Sequence, residues 1–190
     1  MRVAARARLR HPGTLSAATG SEILHWNLAR GADPAIETAW LAVLRGEGVT
    51  VVTGQQPALL GGPLYTLYKL LSAVELAAEL ERSLGCPALA VFWVVGDDAD
   101  FGEVSSAWLP AADGSVRRVR DEALPPGGTM IGMLPALRQL GFLHAADSVA
   151  SLVAASVTAG EDWSGFLAAL MFRLLPGVPC LFIDGAHPAV

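Results

Sequence analysis

A group of acidic residues directly follows the most apolar run of the chain and is its densest set of groups capable of chemistry. Asp97, Asp98, Asp100 and Glu103 come just after residues 88–95. Carboxylates this close repel one another and usually need a cation, a metal ion or hydroxyl donors between them. A substrate ammonium group, a Mg²⁺ ion held through carboxylate and water, or sugar hydroxyls would serve. A solvated acidic turn, in which one Asp caps the following segment, is the alternative.

A second segment, residues 54–63, is rich in glycine and glutamine and follows another apolar run. Gly54 and Gly62 allow a tight turn and a close approach to a ligand, and Pro63 suits the start of a helix. The unpaired N–H groups of a helix start favour an anion, and Gln55 and Gln56 add donors and acceptors. The segment is neither a P-loop nor a dinucleotide fingerprint, so a plain helix-entry loop with surface glutamines is the alternative.

Lys69 is the basic residue nearest to that segment. Helical spacing places it on one face with Tyr65 and Ser72. A cation near the N-terminus of a helix opposes the helix dipole, and an anionic ligand bound there would reverse that penalty. An exposed lysine whose stem covers apolar surface is the alternative.

These groups need a scaffold that brings the two segments together. Residues 49–52 and 88–95 are predicted to be buried strands, because they are short or almost wholly apolar without alternation. Between them a helix is predicted over residues 64–84, ending at Gly85. Its predicted buried stripe consists of Leu64, Leu67, Leu71, Val74 and Ala78. A strand, helix and strand in this order form a right-handed crossover with parallel strands, so both polar segments fall at the same sheet edge.

The remainder of the chain is predicted to extend this unit. Residues 104–109 and 116–119 flank an Asp-Gly turn and indicate a hairpin. Asp162 is predicted to cap a helix that ends before Pro176, and residues 180–183 form a third buried strand.

Composition excludes several classes of function. Lysine and arginine number 13 against 18 acidic residues, so no basic face for nucleic acid is expected. No apolar run reaches the ~20 residues of a membrane span, and the basic start has no apolar core typical of a secretory signal. Cys86 and Cys180 are predicted to be small buried side chains in a reducing cytoplasm. The scattered histidines predict no catalytic or metal-binding cluster, so no metal is assigned.

Two linked motifs resemble those of a known family. The strings TGQQPALLGGPLYTLYK and FWVVGDDADFGEV are similar to the patterns of the bacillithiol biosynthesis cysteine-adding enzymes (BshC). The resemblance is close over residues 45–110 and weaker over 162–184. It implies an α/β fold with a Rossmann-like parallel sheet flanked by helices, with a small hairpin and helical insertion at about 105–160. Residues 1–48 would form a loop and helices packing on the core, and 49–190 the first part of the Rossmann-like domain.

The chain departs from the family pattern at several positions. This chain has Asp97 where the family pattern has glutamate, Ala99 where it has histidine, Ser105 where it has asparagine and Ala58 where it has glycine. Family members also continue for several hundred residues, through the rest of the core and a coiled coil that forms a homodimer. The chain is therefore predicted to be an N-terminal piece or a shortened product. An apolar content of 53% and a mean hydropathy of +0.45 suggest that missing chain normally covers part of its surface.

The resemblance implies a cytoplasmic ligase that adds L-cysteine to glucosaminyl-malate, forming an amide bond in the last step of bacillithiol synthesis. A nucleotide such as ATP would activate the carboxylate, and neither its use nor that of Mg²⁺ is fixed by the sequence. Asp97, Asp98 and Asp100 would be the catalytic residues that orient the amine or sugar. The nucleotide- or substrate-binding residues would be Gly54, Gln55, Gln56, Gly62, Pro63, Tyr65, Lys69 and Trp93.

Two other functions stay open. The early end, Ala99 and the high hydrophobicity also fit a truncated, non-catalytic family member, or a half-protein that needs a partner C-terminal part. A nucleotidyl-transfer enzyme of similar fold is a weaker alternative, because a fold alone does not define a reaction.

Overall fold

The computed structural model describes residues 15–95, 105–110, 114–120, 151–153, 155–157 and 162–186. In chain order its elements are α1 (Ala17–Ala29), α2 (Ile36–Leu44), β1 (Val49–Gln55), a 3-10 turn (Leu59–Gly61), α3 (Leu64–Leu84), β2 (Ala88–Val94), β3 (Ser106–Pro110), β4 (Val116–Arg120), α4 (Trp163–Leu174) and β5 (Cys180–Asp184). Residues 151–153 and 155–157 are also helical.

Three of the strands form the parallel sheet predicted from the sequence, in the order β1-β2-β5. Val49 pairs with Ala88 at one end of β1, and Gln55 pairs with Val94 at the other. On the far side of β2, Ala90 pairs with Cys180. The prediction for the first strand was too short, since β1 continues through Gly54 to Gln55. The polar segment therefore begins inside the sheet.

The core lies on β2, the middle strand. Phe92 is fully buried and stacks on Phe182 of β5, with ring centroids 5.1 Å apart. Phe172 of α4 meets the same Phe182 ring edge-on at 5.2 Å. A strand whose side chains are buried on both faces of the sheet is typical of α/β proteins, and it explains the lack of alternation in residues 88–95.

Helix α3 contacts both β1 and β2, as a crossover helix must, but its buried face differs from the prediction. The buried residues are Thr66, Leu70, Ala73, Ala77 and Leu80. Leu64 is 64% exposed, and Leu71 and Ala78 are exposed too, whereas Leu67 and Val74 pack only partly against the core. Most buried positions precede a predicted one by a single residue, about 100° around a helix. The small side chains of Ala73 and Ala77 let the helix lie close to the sheet. The prediction was based on large apolar side chains and therefore chose the neighbouring row of residues.

Helix α1 completes the edge of β5. The Asn27 side chain is fully buried, and its Nδ2 donates to the Phe182 carbonyl oxygen at 2.8 Å. Its Oδ1 accepts from the Phe182 N–H at 2.7 Å. The amide thus satisfies both backbone groups that a neighbouring strand would otherwise pair. Ile36 and Trp40 of α2 belong to the same buried cluster as the sheet residues.

The predicted helix and hairpin are confirmed. Asp162 caps α4, since its Oδ1 accepts from the Gly165 N–H at 2.6 Å. Buried residues surround α4 rather than tracing one face, because its other side packs on a second cluster with Leu59 of the 3-10 turn. Strands β3 and β4 pair antiparallel as a separate two-stranded sheet. None of the helices in the described part of the chain is long and apolar enough to cross a bilayer.

Candidate functional site

The candidate site lies where β1 ends and α3 begins. The chain leaves β1 at Gln55, passes the 3-10 turn and enters α3 at Leu64. Leu60, Gly61 and Gly62 all have positive φ, at 56°, 86° and 76°. Gly62 is therefore needed for its backbone conformation, as the sequence predicted. Pro63 is the N-cap residue, just outside the helix, and provides no side-chain cap.

Gly54 has a structural reason of its own to be glycine. It lies in β1 opposite Trp93 of β2, and a Cβ built on it would be 2.5 Å from the Trp93 carbonyl oxygen. Real Cβ atoms do not approach backbone so closely, so any side chain here would push the two strands apart. A direct contact between Gly54 and a ligand stays a prediction beside this packing role.

Lys69 reaches back from α3 to the carboxyl end of β1. Its Nζ donates to Gln55 Oε1 at 2.9 Å and lies 3.3 Å from the Gly54 carbonyl oxygen. It also lies 5.0 Å from the Tyr65 ring centroid. The ion pairs in the described part of the chain are Arg45–Glu47 and Arg82–Glu79, so Lys69 has no carboxylate partner there. A positive charge is thus held at the sheet edge by neutral groups, an arrangement suited to an anionic ligand.

Gln55 and the first turn of α3 add donors around that charge. Gln55 Oε1 accepts from Lys69, which leaves the amide N–H groups of Gln55 for another acceptor. The first N–H groups of α3, at Leu64 and Tyr65, have no carbonyl four residues earlier in the helix to pair with. Gln56 follows directly and is half-buried. Lys69 thus lies against both Gln55 and Tyr65. This proximity is consistent with the prediction that the three residues belong to one site.

Trp93 lies at the same edge, near the end of β2. Strand pairing sets it between Gly54 and Ile183, and its side chain is 36% exposed. A Cβ at Gly185 would be 2.9 Å from the indole Nε1, so the glycine backbone lies directly against the ring. The remaining exposed surface of the indole can stack on a planar or sugar ring.

The acidic residues Asp97, Asp98 and Asp100 lie outside the described residues, as does Glu103. The last described residue before them is Val95, whose N–H donates to the Gln55 carbonyl oxygen at 3.1 Å. The strand end that leads into the acidic segment therefore lies beside Gln55. That the two polar segments face one another stays a prediction.

Sequence reasoning missed two buried hydroxyl groups near the site. Thr66 in the first turn of α3 is 1% exposed, and its Oγ1 has no hydrogen-bond partner. Ser105, just before β3, is fully buried, and its Oγ is also unpaired. Strand β3 contacts the 3-10 turn that leads into α3. Thr66 could have been found, because it stands at helical spacing from Leu70 and Ala73 on the buried face.

The two thiols are free, and Cys180 is not suited to nucleophilic chemistry. Burial raises the pKa of Cys180 to about 12, outweighing backbone hydrogen bonds with Phe92 and Leu181 that lower it. Its thiolate is therefore absent at neutral pH. Cys86 is only partly buried, which corrects the prediction that both are buried. Among the described residues no set of three or more His, Cys, Asp or Glu side chains could hold a metal ion.

A cavity of about 290 Å³ lies at the opposite, amino edge of the sheet. Its lining includes Ile36, Glu81, Pro87 and Gly177. Pro87 immediately precedes β2, so this cavity is separated from the Lys69 site by the length of the strand. Ligands of open parallel sheets bind at the carboxyl edge, and we therefore keep the candidate site there.

Comparison with known proteins identifies the family. The model of the bacillithiol biosynthesis BshC N-terminal Rossmann-like domain matches residues 27–190. The chain belongs to the BshC family. The sheet of β1, β2 and β5 is accordingly part of a Rossmann-like domain.

Individual relatives agree with this membership. A Symbiobacterium thermophilum protein is 30% identical over 200 residues, which cover 92% of this chain and 35% of that protein. An Oceanobacillus iheyensis protein is 30% identical, covering 73% of this chain and 28% of its own length. A Geobacillus protein is 42% identical over 93 residues, covering 49% and 17%. All three carry the name "Putative cysteine ligase BshC". The chain thus spans about a third of the length of the relatives it matches.

Proposed function

We propose that this chain provides the N-terminal part of a cysteine ligase that joins L-cysteine to glucosaminyl-malate. The observation that carries the proposal is the Lys69 cluster at the carboxyl edge of a BshC-family Rossmann-like domain. Glucosaminyl-malate carries carboxylates, and a nucleotide carries phosphates. Either anion would pair with Lys69, which has no acidic partner in the described part of the chain.

The reaction forms an amide C–N bond between the cysteine carboxylate and the glucosamine amine, while one C–O bond of the carboxylate breaks and the amine gives up a proton. That step is uphill in water unless the carboxylate is activated, and we propose a nucleotide such as ATP as the source of activation. Lys69, the Gln55 amide and the α3 N-terminus would hold the anionic part of a ligand. The exposed surface of Trp93 would support a ring of the sugar or the base.

Asp97, Asp98 and Asp100 are proposed to orient the amine or sugar side. Carboxylates pair with ammonium groups and hydroxyls, and the strand that leads to them ends beside Gln55. Because these residues lie outside the described part of the chain, no catalytic geometry is assigned to them. We derive no step through Mg²⁺.

The test is a ligation assay with two protein samples. One is the 190-residue chain alone, and the other is the chain joined to the remaining part of the Symbiobacterium thermophilum relative. Each is incubated with L-cysteine, glucosaminyl-malate and ATP, and mass spectrometry follows the cysteinyl product. Product from the joined protein that is lost in its Lys69→Met variant supports the proposal. Absence of product from a folded joined protein argues against it, and transfer of a nucleotidyl group instead would favour the nucleotidyl-transfer alternative.

A second candidate is a half-protein that acts only with a separate C-terminal part. It is favoured by exposed apolar side chains such as Val52, which is 61% exposed and would suit contact with another polypeptide. Adding the C-terminal part as a separate polypeptide distinguishes the two. Activity restored without covalent linkage favours the half-protein, and lack of any complex with that part speaks against it.

Location and assembly of the whole protein are part of the same proposal. We place the reaction in the cytoplasm, because free thiols at Cys86 and Cys180 suit a reducing compartment. The whole protein is proposed to form a homodimer through a coiled coil. Its partners at the site would be small molecules, with no role for nucleic acid or a membrane.

A further inference from the structure

Thr66 presents a polar group that the fold itself leaves unused. Its side chain is 1% exposed, and its Oγ1 lacks a hydrogen-bond partner. Buried hydroxyls in native proteins are nearly always hydrogen-bonded, so such a group calls for an explanation. Valine has nearly the same shape and would fill the position without an unpaired oxygen. A threonine here therefore indicates a partner outside the described protein groups.

The surroundings of that oxygen are closely packed. A Cβ built on Gly62 would lie 3.4 Å from Thr66 Oγ1 and 3.2 Å from the Ala58 Cβ. Both distances are at or below the lower limit of ordinary van der Waals contact, so the Gly62 backbone packs closely against the hydroxyl and the Ala58 methyl group. We name this contact region, between Ala58, Gly62 and Thr66, the Thr66 notch.

The notch lies at the N-terminus of the 21-residue helix α3. Pro63 provides no side-chain cap, and the helix dipole makes this end positive. The Thr66 N–H is occupied by the Pro63 carbonyl oxygen at 2.9 Å, so the hydroxyl is the donor that this residue can offer. Lys69 stands one turn further along the same helix. A hydroxyl donor at a positive helix end favours a negatively charged oxygen, and Lys69 adds positive charge to the same part of the helix.

We infer that Thr66 is a ligand-binding residue whose hydroxyl donates to one oxygen of a carboxylate or phosphate group seated in the Thr66 notch. The oxygen atom is covered in this structure, so entry requires an outward shift of the loop from Ala58 to Gly62. The two sources of the oxyanion, a malyl carboxylate and a nucleotide phosphate, rest on the proposed function. The notch itself rests on the packing described above.

The test measures binding of L-malate, inorganic phosphate and ADP to the 190-residue chain by calorimetry, in parallel with its melting temperature. Thr66→Val removes the hydroxyl and keeps the shape, and Thr66→Ser keeps the hydroxyl. We expect Thr66→Val to weaken binding of at least one anion about tenfold or more, the usual effect of losing a hydrogen bond to a charged group. Its melting temperature without anion should be equal or higher, because the unpaired oxygen is gone. Thr66→Ser should bind like the unaltered chain.

A glycine pair supplies a control for filling the notch. Gly62 and Gly85 both have positive φ, of 76° and 70°, but Gly85 has ψ of 26° in the left-handed helical region and Gly62 has ψ of −164°. A Cβ at Gly85 meets nothing within 4 Å, whereas one at Gly62 enters the notch. Gly62→Ala therefore carries the larger backbone penalty, and its melting temperature is measured beside its affinity. Gly85→Ala should keep anion binding, whereas Gly62→Ala should lose it even at a temperature where the variant is folded.

Each outcome decides the inference. Equal affinity of Thr66→Val and the unaltered chain for all three anions, or no binding of any of them, overturns it. A hydroxyl that serves only the fold would lower the melting temperature in Thr66→Val and leave affinity unchanged. Loss of L-malate binding alone assigns the notch to a carboxylate, and loss of phosphate and ADP binding assigns it to a nucleotide. Thr66-dependent binding without ligase product would retain the notch and refute the proposed function.

Discussion

At the scale of single residues, the polar groups of the candidate site are held by hydrogen bonds to neutral groups rather than by ion pairs. Lys69 is fixed by a carbonyl oxygen and a neutral amide, and the Thr66 hydroxyl has no hydrogen-bond partner. An unpaired buried hydroxyl costs about 1–3 kcal/mol, which is a large fraction of the stability of a small domain. Such costs are retained mainly where a ligand compensates for them.

We predict that Lys69→Met weakens binding of ADP or L-malate by about 1–3 kcal/mol, the cost of removing one partner of a charged hydrogen bond. Folding stability should change little, because the side chain is exposed at the sheet edge. Calorimetric titration measures the affinity, and thermal unfolding measures the stability.

Arg82→Met is the matched control on the same helix. Arg82 forms an exposed ion pair with Glu79 at 2.9 Å, near the far end of α3. Its replacement should leave anion affinity unchanged. If both variants lose affinity for the anion equally, the loss comes from the change in net charge, and Lys69 does not contact the anion directly.

Gly54→Ala should destabilise the protein by about 1–3 kcal/mol or more, as overpacking in a buried region does. The added methyl group would meet the Trp93 carbonyl oxygen and separate β1 from β2. Urea unfolding measures the loss, with exposed Thr50→Ala in the same strand as the control. A Gly54→Ala variant of unchanged stability that fails to bind anions would instead make Gly54 a ligand contact.

At the scale of elements, the position of the site follows from the parallel pairing of β1 and β2. Their common register brings Gln55 and Trp93 to one edge, while α3 returns along the sheet and carries Lys69 back to the end of β1. The edge strand β5 is closed on its outer side by Asn27 of α1 rather than by another strand. A side chain of a helix thereby makes the hydrogen bonds to the Phe182 backbone that a neighbouring strand usually makes.

We predict that Asn27→Ala lowers the free energy of unfolding by about 3 kcal/mol, since the Phe182 N–H and carbonyl would each lose a buried partner at about 1–3 kcal/mol. Denaturant unfolding followed by circular dichroism gives the value. His25→Ala, exposed on the same helix, should change stability by under about 0.5 kcal/mol. A loss no larger for Asn27→Ala than for His25→Ala would mean that water replaces the amide.

At the scale of the whole molecule, several large apolar side chains are exposed in the part of the chain that the structure describes. The exposed ones on or near α3 are Val52, Leu64, Tyr65, Tyr68 and Leu71. Large contiguous apolar patches on soluble proteins usually mark interfaces. The region matched in the Symbiobacterium thermophilum relative is 35% of that protein's length.

The 190-residue chain should therefore self-associate, and sedimentation velocity should detect species larger than a monomer that grow with concentration. Leu64→Lys should reduce this association without loss of stability, because Leu64 is already 64% exposed. Thr50→Lys, also on exposed surface but without an apolar side chain, is the control. A chain that stays monomeric at high concentration would contradict the prediction and would show that its apolar surface needs no cover.

The parallel sheet and the crossover helix followed from the sequence alone, and the same sequence reasoning placed the candidate site at the carboxyl edge of the sheet. Residues 49–52, 88–95 and 180–183 are apolar without alternation, and only a sheet covered on both faces buries such runs. Asp162 marked the start of α4 and Gly85 marked the end of α3. Both signals come from local backbone chemistry, which depends only on residues close in sequence. The family motifs pointed to the same edge.

Tertiary structure decided what pattern could not. The buried face of α3 turned out to be the row of Thr66, Leu70 and Ala73, because close approach to the sheet favours small side chains over the large ones that periodicity counts. The pairing of Gly54 with Trp93, the closure of β5 by Asn27, and the unpaired Thr66 hydroxyl join residues distant in sequence or on hidden faces. Such contacts depend on how the helices and strands pack in three dimensions. The order of residue types along the chain does not specify which side chains will be in contact.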